Sequence, residues 1–184
     1  MARKAIHAAG GIVVRGGARP LLAVVQRSKD ERWVLPRGKL KRHENPRAGA
    51  RREVVEETGH RVRVHEFLGA IGYIVRGQPK LVQFWRMQAA AQPSRDVSKD
   101  IAAVDWLPLA AAVRRLSFSL EKLFLLGVGR RALKRRRRSA RRKALAARAR
   151  VTKKKSLRRN ADRTRKRKPV SRGMLARILG RLPQ

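Results

Sequence analysis

The sequence predicts an α/β fold in which a mixed sheet carries helices on its faces. Short apolar runs bounded by turn-forming residues recur between residues 8 and 107, as is typical of strands. Stretches with helical spacing and helix-capping residues are interleaved with these runs. Strands interleaved with helices favour a sheet whose faces are buried under helices.

The N-terminal part of the chain is predicted to form a hairpin and a short extended segment. Ala8–Val14 and Leu21–Gln26 are apolar runs separated by the turn-forming residues Arg15–Pro20. Trp33–Pro36 is a brief extended piece that delivers the chain to Gly38. The apolar part of the N-terminus is short and interrupted by glycine, so it is interpreted as a strand rather than as a signal peptide.

A helix is predicted between Asn45 and Gly59. Asn45 is a favourable N-cap, and Pro46 suits the first helical position. Gly59 adopts the left-handed conformation easily, which is typical of the residue that follows a helix end. Three carboxylates at positions i, i+3 and i+4 of this helix project from one face, and they are Glu53, Glu56 and Glu57.

The following residues are predicted to contain four strands and two helices. The predicted strands are Arg61–Val64, Phe67–Val75, Lys80–Met87 and Ala102–Leu107. The predicted helices are Leu109–Leu116 and Ser119–Leu126, the second of which closes at Gly127. Phe84 and Trp85 occupy adjacent strand positions, so they are expected on opposite faces, with core packing favoured over base stacking.

The three glutamates predict a site for a hard divalent cation. Carboxylates on one helical stripe repel one another unless a positive charge lies among them, and Mg²⁺ or Mn²⁺ prefers oxygen ligands. The alternative is a solvated acidic face paired with arginines. The chain has only 12 acidic residues against 49 basic ones, yet places three of them on one helical turn. This concentration favours the metal site.

The same residues belong to a longer motif that resembles the Nudix box of the Nudix hydrolases. Gly38 is followed after five residues by Glu44, and after seven more by Arg52-Glu53-Val54-Val55-Glu56-Glu57-Thr58-Gly59. All seven fixed identities of the box match. One departure is His60, which stands where the family usually has an aliphatic residue and is expected to weaken a packing contact in the loop.

The resemblance implies an α/β/α sandwich over about residues 5–127 and a hydrolase that acts on phosphoric anhydride bonds. In such an enzyme water attacks a diphosphate linkage in a nucleoside diphosphate bonded to another group. Glu53, Glu56 and Glu57 would bind the cations, together with the backbone carbonyl of Gly38. Glu44 would pair with Arg52 and orient the helix face.

The residue that accepts the proton from water is left open by the sequence. Any of the three box glutamates is a candidate, and many family members use an acidic residue from a later loop. Asp96 and Asp100 lie in that loop here, and Asp100 stands six residues before Trp106, where the family often has a glutamate five or six residues before a tryptophan. The alternative for Asp100 is a cap at the loop end.

Basic residues before and after the box are predicted to bind phosphates. The candidates are Arg27, Arg37, Lys39 and Lys80. The alternative is that these are ordinary surface charges. Trp33–Gly38 resembles the W-x-L-P-K-G segment of dinucleoside polyphosphate and diphosphoinositol polyphosphate hydrolases, with Arg37 in place of the lysine. Several cations near the box favour a polyphosphate substrate over a simple nucleotide sugar.

The resemblance and the cations lead to one preferred function and two alternatives. The preferred function is a metal-dependent pyrophosphohydrolase for nucleoside or dinucleoside polyphosphates. The first alternative is an enzyme that removes oxidised nucleoside triphosphates. The second is a nucleic-acid-associated protein in which the Nudix fold mainly binds a ligand, although three clustered carboxylates favour an enzyme.

The charge distribution predicts two parts, a hydrolase domain at residues 1–128 and a basic tail at residues 129–184. The basic tail has 25 Lys and Arg against Asp162 alone, and no aromatic residue. Its blocks of like charge repel one another, so we expect it to be partly helical or disordered. We expect it to bind RNA, DNA or another polyanion through phosphates, without base stacking. No run is apolar enough to span a membrane, and a cytoplasmic location is expected.

Overall fold

The structure, a computed structural model, describes residues 5–16 and 19–134. Its strands are β1 (Ile6–Arg15), β2 (Leu21–Arg27), β3 (Trp33–Val34), β4 (Arg37–Lys39), β5 (Val62–Val75), β6 (Gln78–Ala89) and β7 (Ile101–Leu107). Its helices are α1 (Pro46–Thr58), α2 (Leu109–Arg115) and α3 (119–134). In this part of the chain, no helix is both long and apolar enough to cross a membrane.

The strands form one mixed sheet. The main path runs β3-β2-β1-β6-β5, while β4 pairs with β1 and β7 pairs with β2. β1 and β6 are parallel from the pair Ile6 and Lys80 to the pair Val14 and Gln88. The other strand pairs described are antiparallel. The predicted mixed sheet is therefore confirmed.

Helices cover both faces of this sheet. Residues of β1 alternate between the two buried clusters that form on these faces. Ala9 and Val13 join one buried cluster, to which α1 contributes Ala50 and Val54. Ile12, with its even-numbered neighbours, joins a second cluster that contains residues of α2 and α3. Side chains of successive strand residues point to opposite faces, so this alternation places α1 opposite α2 and α3. The predicted α/β/α sandwich is confirmed.

Two aromatic residues follow the same rule in β6. Phe84 is fully buried in the cluster with α2 and α3, and it packs against Phe124 with ring centroids 5.0 Å apart. Trp85 is buried in the cluster with α1. Phe84 and Trp85 therefore lie on opposite faces and serve core packing, as predicted.

The C-terminal helix extends further than predicted. Residues 119–134 are helical, so Gly127 does not end the helix. A glycine costs about 1 kcal/mol in a helix interior, but Val128, Ala132 and Leu133 pack into the core beyond it. Burial of these side chains offsets the low propensity of glycine. Residues 135–184 lie outside the described part, so the division of the chain at residue 128 stays a prediction.

The segment after α1 also differs from the prediction. Arg61–Val64 and Phe67–Val75 were expected as separate strands, whereas Val62–Val75 is one strand. Its pairing with β6 shifts register between Val64 and Phe67 and again between Phe67 and Gly69. These irregularities interrupt the alternation of apolar residues, and that interruption mimics a break between strands.

Candidate functional site

Helix α1 has the ends predicted from its sequence. The side chain of Asn45 accepts hydrogen bonds from the N–H groups of Arg47 (2.9 Å) and Ala48 (3.4 Å), and Pro46 is the first helical residue. Gly59 has a φ of 70° and donates its N–H to the carbonyl of Val55 at 3.0 Å. The helix therefore starts and stops where local sequence requires.

Arg52 connects the glutamates of the box. Its Nε and Nη2 donate to the two carboxylate oxygens of Glu44, both at 2.8 Å. Its Nη1 donates to Glu53 at 2.7 Å and to Glu56 at 3.1 Å. The bidentate hydrogen bond lowers the pKa of Glu44 to about 2, which keeps this carboxylate ionised. The expected pairing of Glu44 with Arg52 is present.

Burial perturbs two carboxyl groups of the box, Glu53 and Glu57. Burial raises the pKa of Glu57 to about 8, and the negative charges of Glu53 and Asp100 add to this effect. A hydrogen bond of 2.8 Å from the N–H of Arg37 to Glu57 Oε2 opposes it. Burial likewise raises the pKa of Glu53. Carboxylates in such surroundings gain from a nearby cation.

Gly38 allows β4 to lie against α1. A β-carbon built on Gly38 would overlap both carboxylate oxygens of Glu53. Gly38 pairs with Ala9 of β1, so the position of its backbone is fixed by the sheet. Only a residue without a side chain fits between this strand and the carboxylate.

The donor chemistry of this face suits an oxygen-ligated divalent cation. In residues 5–16 and 19–134, no three acidic or histidine side chains are close enough together to hold a metal ion as they stand. Arg52 donates to both Glu53 and Glu56, and Arg37 donates to Glu57. A cation bound beside Glu57 would offset the burial, and the neighbouring negative charges, that raise the pKa of this group.

The structure brings Asp100 towards the same face. The loop before β7 packs on the end of α1, where the N–H of Ser98 donates to the carbonyl of Glu56 at 2.8 Å. The carbonyl of Asp100 accepts from the N–H of Ser28 at 2.8 Å, while its side chain is exposed. Its carboxylate is near enough for its charge to raise the pKa of Glu57. Asp96 is exposed in the same loop.

A cavity of about 780 Å³ lies beside β4 and is lined by basic residues; we call it the cationic cavity. It contains all four predicted phosphate-binding residues, and two further cations also line it. The six are Arg27, Lys29, Arg37, Lys39, Arg76 and Lys80. Tyr73 and Phe118 supply aromatic surface, and Glu121 is the one carboxylate that residues 5–16 and 19–134 contribute to the lining.

The cations of this cavity are crowded. The pKa of Lys80 is lowered to about 8, first by burial and then by Arg37, Lys39, Arg27 and Lys29. Arg27 Nε donates to Asp30 at 2.9 Å, which partly offsets its charge. The remaining excess of positive charge makes the cavity suited to a polyanion.

Strand β4 joins the cationic cavity to the carboxylates of α1. Arg37 and Lys39 line the cavity, while Gly38 between them lies against Glu53. This alternation follows from the two-residue period of a strand. The cationic cavity therefore lies next to the residues suited to binding a divalent cation.

Glu121 is a residue of this region that sequence reasoning missed. It is 2 % exposed and accepts hydrogen bonds from the N–H of Leu35 (2.7 Å) and from Arg37 Nη2 (2.5 Å). Burial raises its pKa, and the charge of Arg37 opposes that change. Its signal in the sequence is a single acidic residue among the apolar residues of Leu116–Leu126.

His60 does not loosen the loop as expected. It is 4 % exposed, its ring contacts Trp106 edge-on with centroids 5.0 Å apart, and its Nδ1 lies 3.1 Å from the carbonyl oxygen of Ala90. Burial lowers its pKa, which favours the neutral ring. The aromatic contact therefore takes the place of the aliphatic one.

Two curated relatives are similar to about half of the chain. An "8-oxo-(d)GTP phosphatase" of Mycolicibacterium smegmatis is 33% identical over 100 residues, which are 53% of this chain and 30% of that protein. A "MutT-like protein" of Streptomyces ambofaciens is 39% identical over 97 residues, which are 53% of this chain and 60% of that protein. The chain thus spans less than two thirds of the length of either relative.

A solved structure and a family model agree with the fold. The crystal structure of a C. elegans Ap4A hydrolase binary complex has a TM-score of 0.58 and 22% identity, and the match covers 65% of this chain and 92% of that one. At this identity the likeness concerns the fold alone. The model of the NUDIX domain matches residues 5–125. The chain therefore belongs to the Nudix family.

Proposed function

We propose that the protein is a divalent-cation-dependent pyrophosphohydrolase that cleaves a diphosphate linkage in nucleoside or dinucleoside polyphosphates. The observation that carries this proposal is the junction at β4. Arg37 and Lys39 face the cationic cavity, and Gly38 between them faces Glu53. A polyphosphate bound by the cations would therefore present a phosphorus atom beside the carboxylates.

The basic residues bind and orient the substrate. Arg37 is 8 % exposed, its Nη2 is paired with Glu121, and its Nε–H has no hydrogen-bond partner among the described residues. Arg37 nevertheless lines the cationic cavity, and its guanidinium charge is suited to a phosphate chain there. Lys39 and Lys80 add positive charge along the same wall. Their combined effect is to hold the phosphate chain in a fixed place.

The carboxylates complete the site. A divalent cation, Mg²⁺ or Mn²⁺, would be held by Glu53, Glu56 and Glu57 together with the carbonyl of Gly38. When bound, it would neutralise charge on the phosphate oxygens and lower the pKa of a bound water. One of these glutamates or Asp100 accepts a proton from the attacking water. A new bond forms between the water oxygen and phosphorus, and the bond from phosphorus to the leaving phosphate breaks. Arg52 orients Glu53 and Glu56 from the side.

Two classes of substrate are compatible with the proposed hydrolysis. The six cations of the cavity exceed what a single diphosphate needs, which supports a long phosphate chain such as that of a dinucleoside tetraphosphate. The likeness to an 8-oxo-(d)GTP phosphatase supports an oxidised nucleoside triphosphate instead. We prefer the polyphosphate class because the six cations are observed in this protein, whereas the oxidised triphosphate is suggested only by a relative.

The test is product release in Mg²⁺ or Mn²⁺ from a panel of substrates. The panel contains a dinucleoside tetraphosphate, 8-oxo-dGTP, dGTP and a nucleotide sugar. We expect the highest kcat/KM for the dinucleoside tetraphosphate, and loss of all activity in EDTA. Preference for 8-oxo-dGTP over dGTP would favour the second class. Full activity in EDTA, or no hydrolysis of any compound with either metal, would contradict the proposed function.

A further inference from the structure

Glu121 lies outside the Nudix box and yet holds the segment that leads into it. Its side chain is 2 % exposed. One carboxylate oxygen accepts from the N–H of Leu35 at 2.7 Å, and the other accepts from Arg37 Nη2 at 2.5 Å. Both oxygens of this buried carboxylate therefore act on the single segment Leu35–Arg37.

The same segment is also held from the side of α1. The N–H of Arg37 donates to Glu57 Oε2 at 2.8 Å, and the carbonyl of Pro36 accepts from Gly11 at 3.1 Å. Helices α1 and α3 pack on opposite faces of the sheet. Two carboxylates, Glu57 and Glu121, thus reach Arg37 from the two faces.

A contribution to stability alone would not require a charge at residue 121. A buried ion pair is often no more stabilising than apolar side chains of similar volume. The carboxylate does, however, fix the orientation of the Arg37 side chain. It pairs with Nη2 of Arg37, whose Nε–H is buried without a partner among the described residues, and so orients the guanidinium of a residue that lines the cationic cavity.

We propose that Glu121 is a positioning residue, which holds Arg37 so that its guanidinium serves the cationic cavity while its backbone N–H serves Glu57. The expected effect on turnover rests on the proposed hydrolysis. The positioning itself does not, because it concerns hydrogen bonds of the protein without substrate. A small misplacement of a substrate-orienting group is enough to lower a rate by orders of magnitude.

The first test is amide hydrogen exchange in Glu121→Gln, without metal or substrate. We expect the Arg37 amide to exchange faster by about tenfold or more, because the segment that presents it to Glu57 is no longer held. Amides of the central strand β6 are expected to keep their wild-type rates. An unchanged exchange rate at Arg37 would overturn the proposal, whether or not the protein proves to be a hydrolase.

The second test separates turnover from binding in the same variant. We expect kcat to fall by about tenfold or more. Tripolyphosphate, used as the probe of the cavity, is expected to bind within about threefold of wild type, because loss of the negative charge at residue 121 and loss of the fixed orientation of Arg37 act in opposite directions. Parallel loss of binding and turnover would indicate a purely structural role and overturn the proposal, as would a wild-type kcat.

A matched control is Glu66→Gln. Glu66 Oε2 lies 3.4 Å from Nε of the buried Arg86. This variant therefore also removes a carboxylate that pairs with a buried arginine, but it does so away from Leu35–Arg37. We expect wild-type exchange at Arg37 and wild-type kcat. If both variants accelerate exchange at Arg37 equally, the effect is general loosening and the proposal fails.

A second variant covers the case in which Glu121→Gln does not fold. Glu121→Asp keeps a counter-charge for the buried Arg37, but its side chain is one methylene shorter and cannot reach Leu35 and Arg37 together. We expect faster exchange at Arg37 and lower kcat here too, with a smaller change in each. An aspartate variant with wild-type exchange at Arg37 would overturn the proposal.

Discussion

Gly38 of β4 lies so close to Glu53 of α1 that a β-carbon at residue 38 would overlap the Glu53 carboxylate. The contact joins the strand that carries two cations of the cationic cavity, Arg37 and Lys39, to the helix that carries the glutamates. For Gly38→Ala we expect turnover to fall by about a hundredfold, because the displaced carboxylate no longer aligns with the reacting phosphate. Steady-state kinetics on the best substrate of the panel measures this.

Gly72→Ala is the matched control for that substitution. Gly72 also lies in a strand, but a β-carbon there has only an ordinary contact at 3.9 Å with the carbonyl of Lys80. We expect kcat close to wild type. If Gly38→Ala retains wild-type kcat, the carboxylate of Glu53 has no place in the reaction.

Glu57→Gln is expected to lower turnover by orders of magnitude and to stabilise the metal-free fold at high pH. The folded protein raises the pKa of Glu57 from 4.5 to about 8. The folded state therefore binds this proton more tightly than the unfolded chain, and stability decreases as the pH rises from about 4.5 through about 8. Glutamine cannot ionise, so the variant does not lose stability in this way as the pH rises.

Thermal unfolding in EDTA at several pH values measures the second effect. Wild type and Glu57→Gln should unfold at similar temperatures near pH 5, and the variant at the higher temperature above about pH 8. Wild-type turnover in the variant at saturating Mg²⁺ would remove Glu57 from the site. Identical pH profiles would show that burial does not perturb this carboxyl.

The parts of the structure predicted correctly depend on neighbours in sequence. Asn45 and Gly59 end helix α1 through local hydrogen bonds, and the spacing of the three glutamates places them on one face. The role of Glu121 depends on contacts with Leu35 and Arg37, 86 and 84 residues away. No local pattern encodes such a contact.

Tertiary packing also explains the wrong end of α3. Gly127 is a typical helix terminator by its own preference, and nothing lies within 4 Å of a β-carbon placed there. The helix continues because Ala132, five residues further on, is completely buried in the core. Propensity was overridden by burial, which the sequence of the helix alone does not reveal.

Asp100→Asn tests whether the loop before β7 supplies a catalytic carboxylate. Burial raises the pKa of Glu57 and the charge of Asp100 adds to this effect, and the loop that carries Asp100 packs on the end of α1. We expect turnover to fall by about a hundredfold, the usual scale for loss of a general base. Asp96→Asn, an exposed change in the same loop, is the control and should retain activity. A loss below about threefold would leave Asp100 as a loop cap.

Lys80 should make anion binding sensitive to pH. Its pKa is lowered from 10.5 to about 8, so it is charged below about pH 8 and neutral above. We expect the affinity of the cavity for tripolyphosphate to fall as the pH rises through this value. Lys80→Arg should bind with little pH dependence, because arginine stays charged. Equal pH profiles for wild type and Lys80→Arg, measured by calorimetry, would contradict this role for Lys80.

The basic tail is expected to bind nucleic acid independently of hydrolysis, and the structure fixes where it must be cut to test this. A deletion from residue 130 would remove Ala132, which is buried in the core, so the truncation should begin after residue 134. The deleted residues 135–184 carry 22 Lys and Arg against Asp162 alone. Cations in this number release many counterions from a phosphate backbone.

We expect the truncated protein to keep the kcat of the full chain on a small nucleotide and to lose retention of RNA and DNA. Retention by the full chain should weaken steeply between about 50 and 200 mM salt, because phosphate contacts without aromatic stacking are almost wholly electrostatic. Salt-titrated binding of one labelled RNA and one labelled DNA of equal length measures this. Binding that survives the truncation would place the contact in the Nudix domain, and binding that barely responds to salt would require base recognition, for which the basic tail has no aromatic side chain.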